Sequence, residues 1–374
     1  MEQVAEAFLT GAGMLWKALW ALIFGYAVSS AIQVLVTREQ MAGLLGERGL
    51  RPAALAGFFG FISSSCSFAA LATSRTVWVK GAHPANATAF LVSSTNLVIE
   101  LGIVLWVLLG PGFMIANLLL GLLMMVYAYG LMALWLPGGL ARTAREHAAR
   151  QQEEEEGGHE EAGEKSWRRV FTMEGLHEIA MAFVMEWRMV WKEILFGFTV
   201  AGFISVFVPQ AFWSWLFIGQ SDDPAFLAVV QNAMVAPVVA FFTFIGSMGN
   251  VPLAAMLWSR DVSFGGVVAF LGADLVAATV VWVHAKYYGW RYTLYLSFLL
   301  YLAMVAAGVT VHYLYALSAM LPAERPALGE MVRFAFDYTF FLNLLFLGLA
   351  AFLVALHQSR AGARQEEAPE GGRA

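Results

Sequence analysis

The stretch Ser63-Ser64-Ser65-Cys66-Ser67 places five small polar residues in the middle of an otherwise apolar segment. Apolar residues dominate from 53 to 61 on one side of it and from 68 to 71 on the other. Within a bilayer, polar or irregular backbone is tolerated only where it is buried in protein or lines a cavity. We therefore interpret this stretch as a break in a membrane helix that faces the protein interior.

A second polar interruption follows about 180 residues later, at Gly246-Ser247-Met248-Gly249-Asn250-Val251-Pro252. Interrupted hydrophobic segments at corresponding positions of two halves point to the binding site of a transporter. We therefore expect the two breaks to meet at the interface of two halves of the molecule.

The composition is that of a membrane protein. The chain has 374 residues, of which 60% are hydrophobic and 13% charged, whereas soluble domains carry about 25% charged residues. The net charge of −5 lies largely in one loop and the tail, so no nucleic-acid partner is expected. A single cysteine, Cys66, excludes an intrachain disulfide and a cysteine-cluster metal site. No metal, cofactor or cleaved leader is expected, and the first helix should stay as an anchor.

Apolar segments of spanning length predict an all-α polytopic protein with about nine spans, in a range of eight to ten. They lie near 11–36, 52–74, 84–109, 113–136, 190–208, 225–247, 264–285, 291–316 and 332–356. We expect a first transmembrane repeat over 1–140 and a second over 189–320. A further helix with a polar tail should occupy 321–374.

The segment 141–188 interrupts this pattern. Its first part, 141–170, is rich in Arg and Glu, so we expect a solvated linker with a disordered centre. Residues 173–190 have amphipathic spacing and should lie along the membrane interface. Placing the basic linker in the cytoplasm predicts a cytoplasmic N-terminus in a multi-pass inner-membrane protein, with Arg75 and Lys80 on the same side.

An internal repeat is predicted from two matching blocks. Trp78-Val79-Lys80-Gly81 to Ala89-Phe90-Leu91 aligns with Trp258-Ser259-Arg260-Asp261 to Ala269-Phe270-Leu271 at a constant offset. Each block follows a polar break and precedes a helix that contains polar residues. This order indicates a duplication with the substrate between the two copies.

Two acidic residues inside predicted spans are the candidates for ion or proton coupling. A carboxylate at membrane depth costs several kcal/mol unless it is paired, protonated or in contact with water. Ser93, Asn96 and Glu100 are spaced to share one helix face. Asp274 lies in the seventh predicted span and matches Ser94 by the repeat offset.

Small polar residues near the breaks and carboxylates are the candidates for substrate binding, although single Ser and Asn residues in membrane helices often only join helices. Half-helix N-termini point positive dipole ends at a ligand, which favours an anionic or neutral polar solute. The predicted set comprises Ser63, Ser64, Ser65, Cys66, Ser67, Ser93, Ser94, Asn96, Asn232, Gly249 and Asn250.

The run Ser64-Ser65-Cys66-Ser67, the basic turn and Ala89-Phe90-Leu91-Val92-Ser93-Ser94-Thr95-Asn96 resemble the predicted-permease family that includes bacterial organoarsenical efflux permeases. The resemblance covers roughly 40–136 and 190–290 and implies an efflux permease, with metalloid compounds as a precedent for the substrate. Where the family usually carries Cys-Ser-Cys-Gly, this chain has one cysteine and lacks the nearby prolines.

These features favour a secondary transporter for a small solute. No Gly-x-x-x-x-Gly-Lys-Ser/Thr motif indicates nucleotide hydrolysis, and no His-Glu-x-x-His pair supports an intramembrane hydrolase, so we do not expect an enzyme. A passive channel and a sensor or scaffold without flux stay open alternatives. The sequence also leaves a homo-oligomer open.

Replacing Cys66 by Ser tests whether sulfur binds the substrate. Soft metalloids select thiolates, but a site of hydroxyls and helix dipoles loses little when one thiol becomes a hydroxyl. We expect Cys66→Ser to keep at least part of the transport activity in vesicles, and Leu at both Ser64 and Ser67 to block it. Complete loss in folded Cys66→Ser would instead support thiol-dependent transport.

Overall fold

The structure is a computed structural model that describes residues 2–33, 44–63, 67–155, 172–218, 225–243, 246–322, 325 and 338–366. All regular elements in these ranges are helical. In chain order they are α1 Glu2–Gln33, α2 Leu50–Ser63, α3 Ser67–Val79, α4 Pro84–Asn96, α5 Ile99–Leu109, α6 Pro111–Trp135, α7 Gly138–Glu155, α8 Met173–Phe207, α9 Gln210–Leu216, α10 Phe226–Thr243, α11 Ser247–Ser259, α12 Phe264–Leu271, the 3-10 turn Gly272–Val276, α13 Ala278–Tyr288, α14 Trp290–Leu317 and α15 Tyr338–Glu366.

The predicted class, an all-α polytopic membrane protein, is confirmed. Among the described residues seven helical segments are long and apolar enough to cross a bilayer, or eight if the bent pair α4 and α5 forms one span. The count differs from the predicted nine because the described parts of the segment 52–74 belong to two short helices, one on each side of 64–66. α2 has 14 residues and α3 has 13, so each extends for about 20 Å and falls short of a hydrocarbon core of about 30 Å.

The same order of elements occurs twice along the chain. Among the described residues, a helix, a short helix, a basic turn, a broken helix and a long helix run from α2 to α6 and again from α10 to α14. The short helices α3 and α11 begin at residues 180 positions apart. Gly110 and Gly289, with φ of 91° and 80°, separate the last two helices in each run. These correspondences agree with the predicted duplication, which stays a prediction.

The long helices α1 and α8 pack against each other in antiparallel orientation with their backbones in close contact. A Cβ added to Gly11 would lie 2.6 Å from the carbonyl oxygen of Phe198, and one added to Gly202 would lie 2.2 Å from that of Ala7. Small residues of this kind allow membrane helices to approach closely. The pair forms one wall of the site described below.

The structure corrects the prediction for α8. An interfacial helix over 173–190 and a separate span over 190–208 were expected, but α8 is one helix of 35 residues. No proline or glycine lies between Met181 and Leu195 to end it, and the side chain of Thr172 caps its start by accepting a hydrogen bond from Gly175 N. The amphipathic segment with its charged residues and the predicted span are therefore parts of one continuous helix.

The predicted linker is also partly corrected. Residues 156–171 lie outside the described part of the chain, but 138–155 form α7, on which Ala144 and Ala148 are buried. Alanines four residues apart share one helix face, and this face packs against α3 and α13. Arg145 donates from Nη2 to the carbonyl oxygen of Val79 at the end of α3, at 3.0 Å. The start of the linker is thus joined to the membrane helices.

Arg75, predicted to lie on the cytoplasmic side together with Lys80, belongs to α3 and is only 5% exposed. Its guanidinium carbon is 3.9 Å from the centroid of the Tyr287 ring on α13. An aromatic face attracts a cation electrostatically, which helps to explain how a charged side chain is accommodated between two membrane helices.

Candidate functional site

The two polar breaks predicted from the sequence meet in the structure. Ser67 is the first residue of α3, Ser247 is the first residue of α11, and their Oγ atoms lie 3.0 Å apart. Ser64, Ser65 and Cys66 lie outside the described residues, while Ser63 ends α2.

The second break is shorter than predicted. The helix α11 starts at Ser247, so Gly249, Asn250 and Pro252 are helical residues rather than part of an irregular segment. A proline inside a helix removes one backbone hydrogen bond, and here this loss does not end the helix.

Asp274 lies where the two short helices meet. Its Oδ2 atom accepts hydrogen bonds from Ser67 Oγ at 2.9 Å and from Ser247 Oγ at 2.5 Å. The side chain is 1% exposed and belongs to the 3-10 turn after α12. Helix N-termini carry a partial positive charge, so the starts of α3 and α11 both stabilise this carboxylate.

Two predicted spans are broken close to their acidic residues. The segment 84–109 consists of α4 and α5, which are bent by 41° around 97–98. The segment 264–285 consists of α12, the 3-10 turn and α13. The predicted face shared by Ser93, Asn96 and Glu100 is therefore wrong, because Glu100 belongs to a different helix from the other two.

The break between α4 and α5 is stabilised by a neighbouring helix. Asn117 of α6 donates from Nδ2 to the carbonyl oxygen of Asn96, at 3.0 Å. Backbone groups freed from helical hydrogen bonds must find partners inside the protein at membrane depth. Asn117 thus supplies a partner to the last carbonyl of α4, a role that the sequence reading missed.

Glu100 lies in the first turn of α5 and is 2% exposed. α1 packs directly on it at Gly25, where an added Cβ would come within 2.1 Å of Glu100 Cβ. A carboxylate in the first turn is favoured by the helix dipole. Both predicted coupling residues are therefore buried and both lie beside a broken helix.

A cavity next to these breaks brings several of the residues together. The cavity is small and has room for about one water molecule. The described residues that line it come from α1, α3, α4, α5, α8 and α11 and the break between α4 and α5: Tyr26, Ser67, Thr95, Val98, Glu100, Leu101, Val190, Glu193, Ser247 and Met248.

Glu193 of α8 is the main residue that the sequence reading missed. It lies against the start of α11, because a Cβ added to Gly246 would be 2.4 Å from Glu193 Oε2. The carboxyl groups of Glu193 and Asp274 thus both lie close to the start of α11. Glu186, Val190 and Glu193 are spaced along one face of α8, and this spacing was the available signal. It was overlooked because α8 was predicted as two separate helices.

The other predicted binding residues within the described part of the chain are not among those that line the cavity. Ser93 donates to the carbonyl oxygen of Gly57 and so joins α4 to α2. Ser94 is buried, and Gly249 packs against Gly197, where an added Cβ would lie 2.5 Å from Gly249 Cα. Asn232 and Asn250 are fully buried. Contacts such as that of Ser93 are typical of polar residues that join membrane helices.

Comparison with known proteins assigns the chain to a family. A family model described as a predicted permease, ArsP_1, matches residues 3–313. The chain belongs to this permease family. It is 38% identical over 326 residues to the protein named "Putative permease Rv2963" from Mycobacterium tuberculosis (strain ATCC 25618 / H37Rv), covering 85% of this chain and 79% of the relative. No solved structure matches the chain.

A double-mutant cycle tests the two serine contacts with Asp274. We expect Ser67→Ala and Ser247→Ala each to lower the free energy of unfolding by about 1–3 kcal/mol, because each removes a hydrogen bond to a buried carboxylate. Since both hydroxyls share one oxygen atom, the two effects should not add. Denaturant titration in mixed micelles, followed by circular dichroism, measures them.

The control is Ser318→Ala, whose exposed hydroxyl donates to the carbonyl oxygen of Leu314. It should change the unfolding free energy by less than about 0.5 kcal/mol. Additive or negligible effects of the two central serines would contradict the shared contact.

Proposed function

We propose that this permease is a secondary transporter that moves a small polar solute through the cavity between its two predicted halves. The observation that supports this most is the convergence of α3 and α11 on Asp274, beside a cavity lined by Glu100 and Glu193. Broken helices that meet around a polar site are typical of transporters, in which the two halves move relative to each other.

Glu100 and Asp274 are proposed to couple transport to a proton or ion gradient. Burial disfavours the charged form of a carboxylic acid, so proton uptake neutralises such a group when no cation is present. A proton on Asp274 would weaken the charge-assisted hydrogen bonds from Ser67 and Ser247. Loss of this attraction would loosen the contact between α3 and α11. Protonation of Asp274 would in this way change the arrangement of the two helices.

We further propose that the protein lies in the inner membrane with its N-terminus and the 141–188 linker in the cytoplasm. Efflux as the direction, and metalloid compounds as a precedent for the substrate, rest on the family resemblance. The family and its relative are permeases, which favours a transporter over an enzyme.

A passive channel is the second candidate, because the cavity has a mouth. A channel would need no coupling of the carboxylates to a gradient. The two candidates differ in their response to a gradient. A secondary transporter accumulates solute against its gradient when a pH difference is applied, whereas a channel only equilibrates it. Purified protein in vesicles, supplied with anionic, neutral and cationic solutes and methylated arsenicals, distinguishes them.

Neutral replacements of the buried acids test the coupling. In vesicles with an imposed pH gradient, we expect Glu100→Gln and Asp274→Asn each to reduce gradient-driven solute flux to background while the protein stays folded. Glu146→Gln, on the exposed side of α7, is the control and should keep the flux. Full flux with an unchanged pH dependence in both buried variants would remove proton coupling from the proposal.

A further inference from the structure

The junction between α13 and α14 forms a surface of the molecule that the transport proposal does not use. α13 ends at Tyr288, Gly289 follows with φ of 80°, and α14 begins at Trp290. The junction lies level with the end of α6, because Tyr295 Oη in the first turns of α14 donates to the carbonyl oxygen of Trp135 at 2.6 Å. Since α6 and α14 are both long enough to cross a bilayer, their adjoining ends mark one surface of the membrane.

Exposed tryptophans surround this junction. Trp282 on α13 and Trp290 on α14 pack edge to face, with ring centroids 5.6 Å apart. Both side chains are more than half exposed, as is Trp135 at the end of α6. Tryptophan is enriched where a membrane protein passes from the hydrocarbon core to the lipid headgroups. The junction therefore lies at the depth of the headgroups.

Exposed basic side chains lie beside the paired tryptophans. Lys286 follows Trp282 by one helical turn on the same face of α13, and Arg291 directly follows Trp290. Neither of the described helices α13 and α14 contains an acidic residue. Long basic side chains near the end of a membrane helix extend into the headgroup region. The junction thus presents positive charge at the depth where lipid phosphates lie.

The helix α7 adds a further positive charge next to the end of α13. His147 donates from Nε2 to the carbonyl oxygen of Lys286 at 3.1 Å. Arg150 follows His147 by three residues, so it lies on the same side of α7, and it is exposed. The acidic residues of α7 are Glu146, which lies 4.0 Å from Arg142, and the three glutamates that end the helix. The described side chains on this side of α7 therefore add to the positive charge of the junction.

An apolar stripe runs from the junction along α14 into the membrane. Trp290, Leu294 and Phe298 follow one another at intervals of four residues on one helix face, and all three are exposed. An acyl chain can lie along such a stripe, whereas a free phosphate ion or a soluble phosphate ester gains nothing from it. The basic residues and the stripe together fit a lipid with an anionic headgroup.

We propose that the α13–α14 junction binds an anionic phospholipid, with Lys286 and Arg291 as the partners of its phosphate. Arginine pairs with phosphate through two parallel N–H donors, and lysine pairs with it as a compact point charge. The acyl chain lies against Trp290 and the apolar stripe of α14. A zwitterionic lipid fits less well, because its own ammonium group offsets the charge of the phosphate. This lipid site goes beyond the transport proposal and does not depend on it.

Titration with two lipids that have the same acyl chains tests the site. Full-length protein in a nonionic detergent is titrated with dioleoyl phosphatidylglycerol or dioleoyl phosphatidylcholine, and native mass spectrometry measures the bound lipid. We expect the first phosphatidylglycerol to bind more tightly than phosphatidylcholine. Each basic residue near an anionic lipid changes the affinity about fivefold. Lys286→Gln and Arg291→Gln should therefore each weaken phosphatidylglycerol binding by this factor and leave phosphatidylcholine binding unchanged.

Arg142→Gln is the matched control, because it also removes one exposed positive charge, but at a position where Glu146 lies 4.0 Å away. It should leave the binding of both lipids unchanged. Circular dichroism and gel filtration check that all three variants are folded. Equal affinity of the unmodified protein for the two lipids, or equal weakening in all three variants, would overturn the site.

A competition experiment distinguishes a lipid from a soluble phosphate ester. Glycerol 3-phosphate carries the phosphate group without acyl chains, so it should not displace phosphatidylglycerol at the concentrations at which the lipid binds. Displacement by glycerol 3-phosphate would indicate a site for soluble phosphate esters and overturn the assignment to a lipid.

Discussion

The contact between Asp274 and the two serines at the starts of α3 and α11 is the interaction on which the rest of the site depends. One carboxylate oxygen accepts both hydroxyl hydrogen bonds. It therefore joins elements that are 180 residues apart in the sequence. Removing a hydrogen-bond partner of a buried polar or charged group costs about 1–3 kcal/mol, so Asp274 is a structural link between the two short helices.

The surrounding helices are arranged so that the polar groups of this centre have hydrogen-bond partners or favourable helix dipoles inside an otherwise apolar protein. Short helices direct their N-termini inward, where their dipoles offset negative charge. The break at 97–98 places Glu100 in the first turn of α5, and Asn117 satisfies the carbonyl that ends α4. The close contact of α1 with α8 brings Gly25 and Glu193 to the same region. The acidic cavity is a consequence of this packing.

Composition and hydrophobic segment length were sufficient to predict the membrane class. Small polar residues pointed to the starts of α3 and α11, although most of the second polar stretch is helical. The bend at 97–98 was missed, because nothing in Leu97-Val98 differs from an ordinary apolar span. Glu193 was missed because α8 was predicted as two separate helices, which hid the face that Glu193 shares with Glu186 and Val190. The helix α7 was missed because its buried alanines lie among charged residues.

The most direct test of this account is whether the starts of α3 and α11 are in contact in the membrane. In a Cys66→Ala background, the pair Ser67→Cys and Ser247→Cys should form a disulfide rapidly under mild oxidation, because the native Oγ atoms are 3.0 Å apart. The pair Ser67→Cys and Ser259→Cys is the control, since Ser259 lies about 18 Å further along α11. Selective cross-linking of the first pair is predicted. Equal cross-linking of both pairs, or none in the first, would contradict the central contact.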